Sequence, residues 1–357
     1  MASPACRGNE CGTIAAPGLI PWASVFQPRA ASLASFAFLW LCSAAGVSAA
    51  PANPQCQSSR AAQPAVTRLR DAVAQGRFIA YQPLSLRVVD GRVTDADAEG
   101  IRADLTQLRA RFDSLITYDA IHGAQQIPAI AAGLKFRALI IGVWDPADEA
   151  QLDAALEAAR RFPQLVLGIS LGNEVLFAHR SEPAALLAAI ARVRARAPQL
   201  ALSTSEPFHV YDEPAAAAVL GQLDFLLPIV HPVFQPWFRD APDGTAAQFV
   251  VNVLGKLTPL ACGPILVKET GVPTAPEGAG FSEARQATFY RELRRVLPPS
   301  HTQGFAYFAA YDAPWRAYDA TGAPGAPAVH PEEAHWGLYD DARRPKAAAR
   351  ELPRLPP

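Results

Sequence analysis

Eight short apolar runs, separated by stretches of helical periodicity, constrain the fold of this chain more than any other feature. They cover residues 78–83, 114–118, 136–144, 165–171, 200–204, 225–230, 264–267 and 304–310. Between the first two runs, apolar residues at spacings of four, three and four predict a helix over 95–112, and a similar pattern predicts one over 183–196. The chain is therefore expected to alternate strands and helices from about residue 76.

Strands that are apolar throughout, rather than at every second position, are typical of parallel sheets with both faces covered. Eight βα units predict an α/β fold, a (β/α)8 TIM barrel, as a single domain over 77–357. The alternative is a doubly wound open sheet. That fold favours a glycine-rich phosphate turn after its first strand, where Tyr81-Gln82-Pro83-Leu84 stand instead.

The composition excludes two classes of protein. Half of the 357 residues are hydrophobic and 18% are charged, which suits a large core and not a disordered chain. The 32 Lys and Arg residues balance the 33 Asp and Glu residues, so the formal net charge is −1. This balance indicates no nucleic-acid partner.

The N-terminal region has the pattern of a secretory signal peptide. Arg29 precedes an apolar run over 36–41, and small residues follow as far as Ala50, with cleavage expected after Ala49. A short buried helix is the alternative for the apolar run, which is too short for a membrane span. The mature protein is therefore expected to be secreted or periplasmic, with no membrane span.

Two further segments flank this signal. Residues 1–27 fit no part of it and are expected to be an extension, with translation starting near Val25 instead. Residues 50–76 are expected to be a tether between the signal and the barrel.

The Ala-, Gly- and Pro-rich stretch 313–335 is expected to be a long loop after the eighth strand.

Only two of the five cysteines, Cys56 and Cys262, lie beyond the expected cleavage point. In an oxidising compartment these two could pair, and they could equally be free thiols. The sequence has no CxxC or HxxxH spacing, so we expect no structural zinc site.

Two glutamates, Glu174 and Glu269, each stand where an apolar run ends. A carboxylate directly after a buried strand is costly unless that strand end opens into a polar site. In a TIM barrel the carboxyl ends of the strands carry the site, so the two glutamates are expected on opposite walls of one pocket. A pair of carboxyl groups in this arrangement is typical of glycosidases. A loop cap or an ion pair is the alternative for each residue alone.

Other polar and aromatic residues follow the same strand ends, and we expect them to bind substrate. They are Asn173, Tyr81, Tyr118, Trp144, Glu206, His231, Tyr311, Asp312, Trp315 and Trp336.

Some of these have a more specific expected role. Asn173 is placed to bond a sugar 2-hydroxyl, and Tyr81 or His231 to orient Glu269. His231 could equally be a buried structural histidine. Lys268 is expected to point away from the barrel interior, because neighbouring strand residues alternate.

Glu206 and Asp312 are candidates for subsite hydrogen bonds or ion pairs. The four tryptophans that follow the signal, including Trp237, all come at or after predicted strand ends. Such positions suit stacking on apolar sugar faces, with packing under long loops as the alternative.

Over about 77–346 the chain resembles glycoside hydrolase family 17, the β-1,3-glucanase and glucanosyltransferase family, in its secreted bacterial form. The segments that carry the resemblance are Ile79-Ala80-Tyr81-Gln82-Pro83, Thr117-Tyr118, Ile141-Gly142-Val143-Trp144, Leu171-Gly172-Asn173-Glu174-Val175-Leu176, Val230-His231-Pro232, Lys268-Glu269-Thr270-Gly271-Val272-Pro273-Thr274, Tyr311-Asp312-Ala313-Pro314-Trp315 and His335-Trp336-Gly337-Leu338-Tyr339-Asp340. The resemblance implies a retaining mechanism with Glu174 as acid/base and Glu269 as nucleophile, and neither metal nor cofactor.

The sequence departs from the family pattern at Ile116, where arginine is frequent, and at Ala309 and Ala313, where glutamate is usual. Sugar contacts in the cleft are therefore expected to differ. The leading hypothesis is a retaining hydrolase of β-1,3-glucan, acting as a monomer. The competing hypotheses are a transglycosylase that uses the same glutamates, a glycosidase acting on β-1,4-glucan or mannan, and a carbohydrate-binding barrel without turnover.

Overall fold

The computed structural model describes residues 56–57, 59–89, 92–318 and 330–356. Within these residues the strands are β1 (Phe78–Ala80), β2 (Arg87–Val89), β3 (Arg92–Thr94), β4 (Ser114–Ile116), β5 (Ala138–Val143), β6 (Val166–Asn173), β7 (Ala201–Ser205), β8 (Ile265–Val267) and β9 (Gln303–Tyr307). The α-helices are α1 (Gln63–Gln75), α2 (Ala98–Arg109), α3 (Ile127–Gly133), α4 (Glu149–Arg161), α5 (Pro183–Arg196), α6 (Ala217–Leu220), α7 (Thr245–Leu257), α8 (Glu283–Val296) and α9 (Ala347–Glu351).

Seven strands form one parallel sheet in the order β7-β6-β5-β4-β1-β9-β8. The gap between β7 and β8 is filled by the extended segment 225–230. Its Leu226 bridges Ile265 on one side, and its Ile229 bridges Pro207 on the other. Pro228 interrupts this segment, because proline has no N–H to donate to a ladder. The predicted sixth strand is therefore a series of isolated β-bridges and not a regular strand. Because this segment closes the sheet between β7 and β8, the predicted TIM barrel is confirmed.

The predicted strands agree with the structure to within a few residues, and the helix predicted over 183–196 coincides with α5. The other predicted helix, over 95–112, is shorter in the structure, where α2 begins after the N-cap Asp97. The hairpin β2–β3 was not predicted. Its residues are mostly exposed, so they give no apolar run.

The expectation of a tether over 50–76 does not hold for residues 63–75, which form helix α1. Its buried Val66, Leu69 and Val73, at helical spacing, pack with strand residues such as Phe78 and Leu266. Proline in the first turn of α1 suits a helix start. The helix closes the amino-terminal end of the barrel, opposite the strand ends that carry Glu174 and Glu269.

The two cysteines are paired, since Cys56 and Cys262 form a disulfide with Cα atoms 5.5 Å apart. Beside it, the Gln57 amide donates to the Gly221 carbonyl at 2.7 Å. These contacts hold the start of the described chain to the closed end of the barrel. The predicted signal peptide and its cleavage point lie outside the described residues. Of the helices that are described, none has the length and apolarity needed to cross a bilayer.

Candidate active site

Glu174 follows β6 in a strained turn. Gly172 has φ +86°, and a Cβ built there would lie 2.7 Å from Val175 Cγ2, so only glycine fits. Glu174 itself has φ +55°, a conformation that non-glycine residues rarely adopt. Its amide donates to the Ser205 carbonyl at the end of β7, at 2.7 Å. Such strain persists only where surrounding contacts enforce it, and it concentrates at functional sites.

Glu269 lies two residues after β8 and still pairs with the neighbouring segment. Its carbonyl accepts from the Val230 amide at 2.8 Å. The next residue of that segment, His231, places Nε2 3.5 Å from Glu269 Oε2. The His231 ring packs at 4.7 Å from the Trp336 ring and 5.1 Å from the Phe308 ring, measured between centroids. Of the two residues expected to orient Glu269, His231 is the one that lies beside its carboxylate.

The two carboxyl groups have opposite pKa shifts. Burial, together with the charges of Glu269 and Glu206, raises the pKa of Glu174 to about 8. Burial alone would also raise the pKa of Glu269. The His231 contact and the charges of Lys268 and Arg316 outweigh burial, and the pKa of Glu269 lies below its ordinary value. These opposite shifts favour the protonated form of Glu174 and the ionised form of Glu269 at neutral pH.

Lys268 corrects the expectation that it points away from the barrel. Its side chain is fully buried, with Nζ 2.5 Å from Asn173 Oδ1 and 4.2 Å from the centre of the Tyr118 ring. Alternation along β8 explains this, because Leu266 faces the interior and Lys268 lies two residues further on. Glu269 reaches the same site because it stands where the strand ends.

Arg316 is a second cation that sequence reasoning missed. It lies in the 3-10 helix Pro314–Ala317, after β9, with Nη2 3.4 Å from Glu333 Oε2. Burial tends to lower the pKa of Arg316, but the charges of Glu333, Glu269 and Tyr118 raise it overall. Its position beside Trp315, which was selected as a site residue, was the only sequence signal that pointed to it.

Three of the expected aromatic residues, Tyr118, Tyr311 and Trp315, line one cavity together with Arg316. This cavity has about 390 Å³ of empty volume, part of it open solvent. Burial, together with the nearby Glu269 carboxylate, raises the pKa of the Tyr118 hydroxyl. Trp144, at the end of β5, is covered by the Arg180 guanidinium 4.8 Å from the ring centre.

Two expected site tyrosines, Tyr81 and Tyr311, are buried, and their hydroxyls bond to residues of α2. The Tyr81 hydroxyl donates to Asp104 Oδ2 at 2.9 Å. The Tyr311 hydroxyl lies 3.0 Å from both the Asp104 carbonyl and Gln107 Oε1. Both tyrosines thus join strand ends β1 and β9 to α2. The expectation that Tyr81 orients Glu269 was therefore wrong, because its hydroxyl is bonded to another carboxylate.

The two acidic candidates also have structural partners. Glu206 is fully buried, and its carboxylate accepts from the Leu176 and Phe177 amides at 3.1 and 3.2 Å. It holds the loop directly behind Glu174. Asp312 accepts from the Gly337 amide at 2.8 Å and from Lys346 Nζ at 2.7 Å. Asp312 thus forms the ion pair that was one of its two expected roles, whereas the Glu206 carboxylate is bonded to backbone amides.

The remaining two tryptophans pack beneath loops. Trp336 is 2% exposed and lies against His231 and Phe308, with its indole N–H lacking a partner among the described residues. Trp237 is half-buried against Phe249 of α7, 5.5 Å between ring centres. Within the described chain, no cluster of three His, Cys, Asp or Glu side chains is arranged to hold a metal ion.

Comparison with known proteins places this chain in a wider group. The family model of the BtgE/BtgC glycoside hydrolase domain matches residues 79–337. A glucan 1,3-beta-glucosidase of Arthroderma benhamiae is 27% identical over 278 residues, covering 74% of this chain and 87% of that protein.

Two solved structures from Rhizomucor miehei share the fold. One is an active-site mutant of a beta-1,3-glucanosyltransferase in complex with laminaritriose, with a TM-score of 0.59 and 18% identity over 78% of this chain and 97% of that one. The other is a glycoside hydrolase family 17 beta-1,3-glucanosyltransferase, with a TM-score of 0.57 and 19% identity over 76% of this chain and 95% of that one.

Proposed function

The chain belongs to the family of the BtgE/BtgC glycoside hydrolase domain, and on that premise we propose that it is a retaining glycosidase acting on β-1,3-glucan. The observation that carries the proposal is the placement of Glu174 and Glu269 just after the ends of β6 and β8, in surroundings that shift their pKa values in opposite directions. A retaining glycosidase needs one protonated and one ionised carboxyl group on either side of the scissile bond. The names of the similar proteins support β-1,3-glucan as the substrate.

In the first step, the Glu269 carboxylate attacks the anomeric carbon while the bond to the leaving oxygen breaks. Glu174 donates its proton to that oxygen, and a covalent glycosyl ester on Glu269 results. In the second step, Glu174, now a carboxylate, takes a proton from water. The water oxygen bonds to the anomeric carbon, the ester breaks, and Glu269 is released as a carboxylate.

Around these two groups we propose a smaller set of substrate contacts than the sequence suggested. Asn173 is the candidate for the 2-hydroxyl contact, since it directly precedes Glu174 and its amide is fixed by Lys268. Tyr118 and Trp315 are candidates for contact with sugar rings, because they line the cavity beside Arg316. Trp144 is a further candidate, because it directly follows the end of β5. His231 lies beside the Glu269 carboxylate, and Trp336 packs against the His231 ring, so we propose that both fix the position of Glu269.

Transglycosylation is the second candidate, because the similar Rhizomucor miehei structures are named glucanosyltransferases. The same ester then transfers to a sugar hydroxyl instead of water. Mass spectrometry of products from β-1,3-gluco-oligosaccharides separates the two activities. Shorter products alone support hydrolysis, and products longer than the substrate support transfer.

The same measurement also tests which linkage is cleaved and whether the barrel turns over carbohydrate at all. We expect no turnover of β-1,4-glucan or mannan oligosaccharides offered in parallel. Turnover of those oligosaccharides instead would identify a different linkage. If no oligosaccharide changes and wild type behaves like Glu269→Ala, the barrel only binds carbohydrate, and the proposed activity is wrong.

We also propose export to the periplasm or the medium. The Cys56–Cys262 disulfide supports this, because structural disulfides form in oxidising compartments. The sequence pattern before Ala50 supports it independently. Mass spectrometry of the protein recovered from the periplasm of a Gram-negative host tests both points, with a mature chain from Ala50 expected. Light scattering of that material tests the expected monomer.

A further inference from the structure

Lys268 is a buried cation that joins the two halves of the proposed site. Its Nζ lies 2.5 Å from Asn173 Oδ1 at the end of β6, while its backbone belongs to the β8 strand end beside Glu269. The side chain is 0% exposed and its ammonium covers the Tyr118 ring at 4.2 Å. An ammonium group held at this depth needs both a hydrogen-bond acceptor and neighbouring negative charge.

This contact fixes the orientation of the Asn173 amide. A lysine ammonium has three donors and no acceptor, so only the amide oxygen can face it. The amide nitrogen, Nδ2, must then point to the other side, and it has no hydrogen-bond partner among the described residues. An N–H donor in that position suits a sugar 2-hydroxyl, whose interaction strengthens in the transition state.

We propose that Lys268 is a positioning residue, whose ammonium orients the Asn173 amide toward the sugar and holds Glu269 as a carboxylate. This inference rests on the proposed glycosidase function. Lys268 does not touch the reacting atoms in this arrangement. It acts through Asn173 on one wall of the cleft and through Glu269 on the other.

The charges around Lys268 come from three strand ends. Burial lowers the pKa of Lys268 to about 8, while the negative charges of Glu269, Glu174 and Glu206 oppose that change. Arg316 is the other cation that faces Glu269. Lys268 is therefore charged at neutral pH, and its charge is lost as the pH rises above about 8.

The first test is a double-mutant cycle in which kcat/KM on an aryl β-laminaribioside is measured for wild type, Lys268→Met, Asn173→Ala and the double variant. Lys268→Met keeps the length of the side chain and removes its charge. We expect each single variant to lower kcat/KM by about 100-fold, and the double variant to lose little more. We expect the acidic limb of the pH profile to move to higher pH in Lys268→Met, because the pKa of Glu269 rises without the cation.

Two controls accompany this cycle. Lys256→Met removes an exposed lysine of α7 and should leave kcat/KM unchanged. Lys268→Arg keeps the charge and should keep the acidic limb at its wild-type position even if it binds Asn173 less well. Additive losses together with an unmoved acidic limb in Lys268→Met would overturn the proposal while leaving the glycosidase function intact.

A second test does not depend on activity. Free energies of unfolding are measured for wild type, Lys268→Met, Glu269→Gln and the double variant, at pH 7 and at pH 10. We expect the two substitutions to be non-additive at pH 7 and closer to additive at pH 10, where the ammonium has lost its proton. If wild type turns over no glucan yet this coupling is found, the proposed function fails and the charge interaction between Lys268 and Glu269 stands. Additivity at pH 7 would refute that interaction.

Discussion

His231 Nε2 lies 3.5 Å from Glu269 Oε2, and both side chains are more than nine-tenths buried. This contact explains how a carboxylate stays ionised where burial favours the neutral acid, since the imidazole and the cations Lys268 and Arg316 compensate for lost hydration. Glu174 has no such partner, and its buried Oε1 lacks a hydrogen bond among the described residues. The difference between the two environments supports the proposal that Glu174 is the acid and Glu269 the nucleophile.

The two shifts predict a bell-shaped pH profile for kcat/KM. Activity requires Glu269 ionised, so it is lost as the pH falls through the lowered pKa of Glu269, below about 4.5. It also requires Glu174 protonated, so it is lost as the pH rises through about 8. Because the groups interact, the limbs report the pair. Initial rates on an aryl β-laminaribioside from pH 3 to 10 test this, and a rate that still rises above pH 9 would contradict it.

Glu269→Ala should abolish turnover and leave the fold intact. Removing the nucleophile prevents formation of the glycosyl ester, so kcat should fall by roughly 10⁵-fold or more. Circular dichroism should match wild type, because the substitution does not remove core packing, whereas thermal unfolding should shift to lower temperature because buried Lys268 loses a neighbouring negative charge. Glu157→Ala, on an exposed part of α4, serves as the control with full activity. Wild-type rates in Glu269→Ala would overturn the nucleophile assignment.

Glu174→Gln should distinguish substrates by their leaving groups. A general acid contributes about 10²–10⁴-fold when the leaving oxygen needs a proton. Glycosylation by an aryl glycoside with a good leaving group should therefore be largely spared, whereas turnover of laminari-oligosaccharides should fall by that factor. Burst kinetics with the aryl substrate separate the two steps. An equal loss on both substrates would argue against an acid role for Glu174.

The sequence predicted the barrel and both glutamates, because apolar runs and polar strand ends are local patterns. It did not reveal which polar residues face the cleft. Tyr81 turned out to bond Asp104, 23 residues further along the chain, and nothing in either segment indicates that pairing. The sequence expectation put Lys268 on the wrong face of β8. It took Glu269 as an interior-facing strand residue and counted the alternation of side chains back from it, although Glu269 lies beyond the strand end. Counting from Leu266 within the strand places Lys268 correctly.

Tyr81→Phe and Tyr118→Phe form a matched pair of variants that tests which of the two tyrosines contributes to catalysis. Tyr81→Phe removes a hydroxyl bonded to the buried Asp104 carboxylate, so it should cost about 1.5–3 kcal/mol of stability and leave kcat/KM unchanged. Tyr118→Phe removes a hydroxyl whose pKa is raised by burial and by the charge of Glu269, so it should lower kcat/KM and spare stability. Denaturant unfolding and initial rates on both variants test this, and the reverse pattern would contradict a structural role for Tyr81.

Loss of the Cys56–Cys262 disulfide should affect stability without affecting catalysis. The bond closes a sequence separation of 206 residues, so its removal enlarges the unfolded ensemble and should cost about 2–5 kcal/mol. The double variant Cys56→Ser, Cys262→Ser should unfold at lower guanidinium concentration, and reductant should bring wild type to the same midpoint. Its kcat/KM should be unchanged well below the unfolding transition, because the bond lies at the closed end of the barrel, opposite Glu174 and Glu269. A fall in kcat/KM with an unchanged midpoint would mean that this end of the barrel is coupled to the cleft.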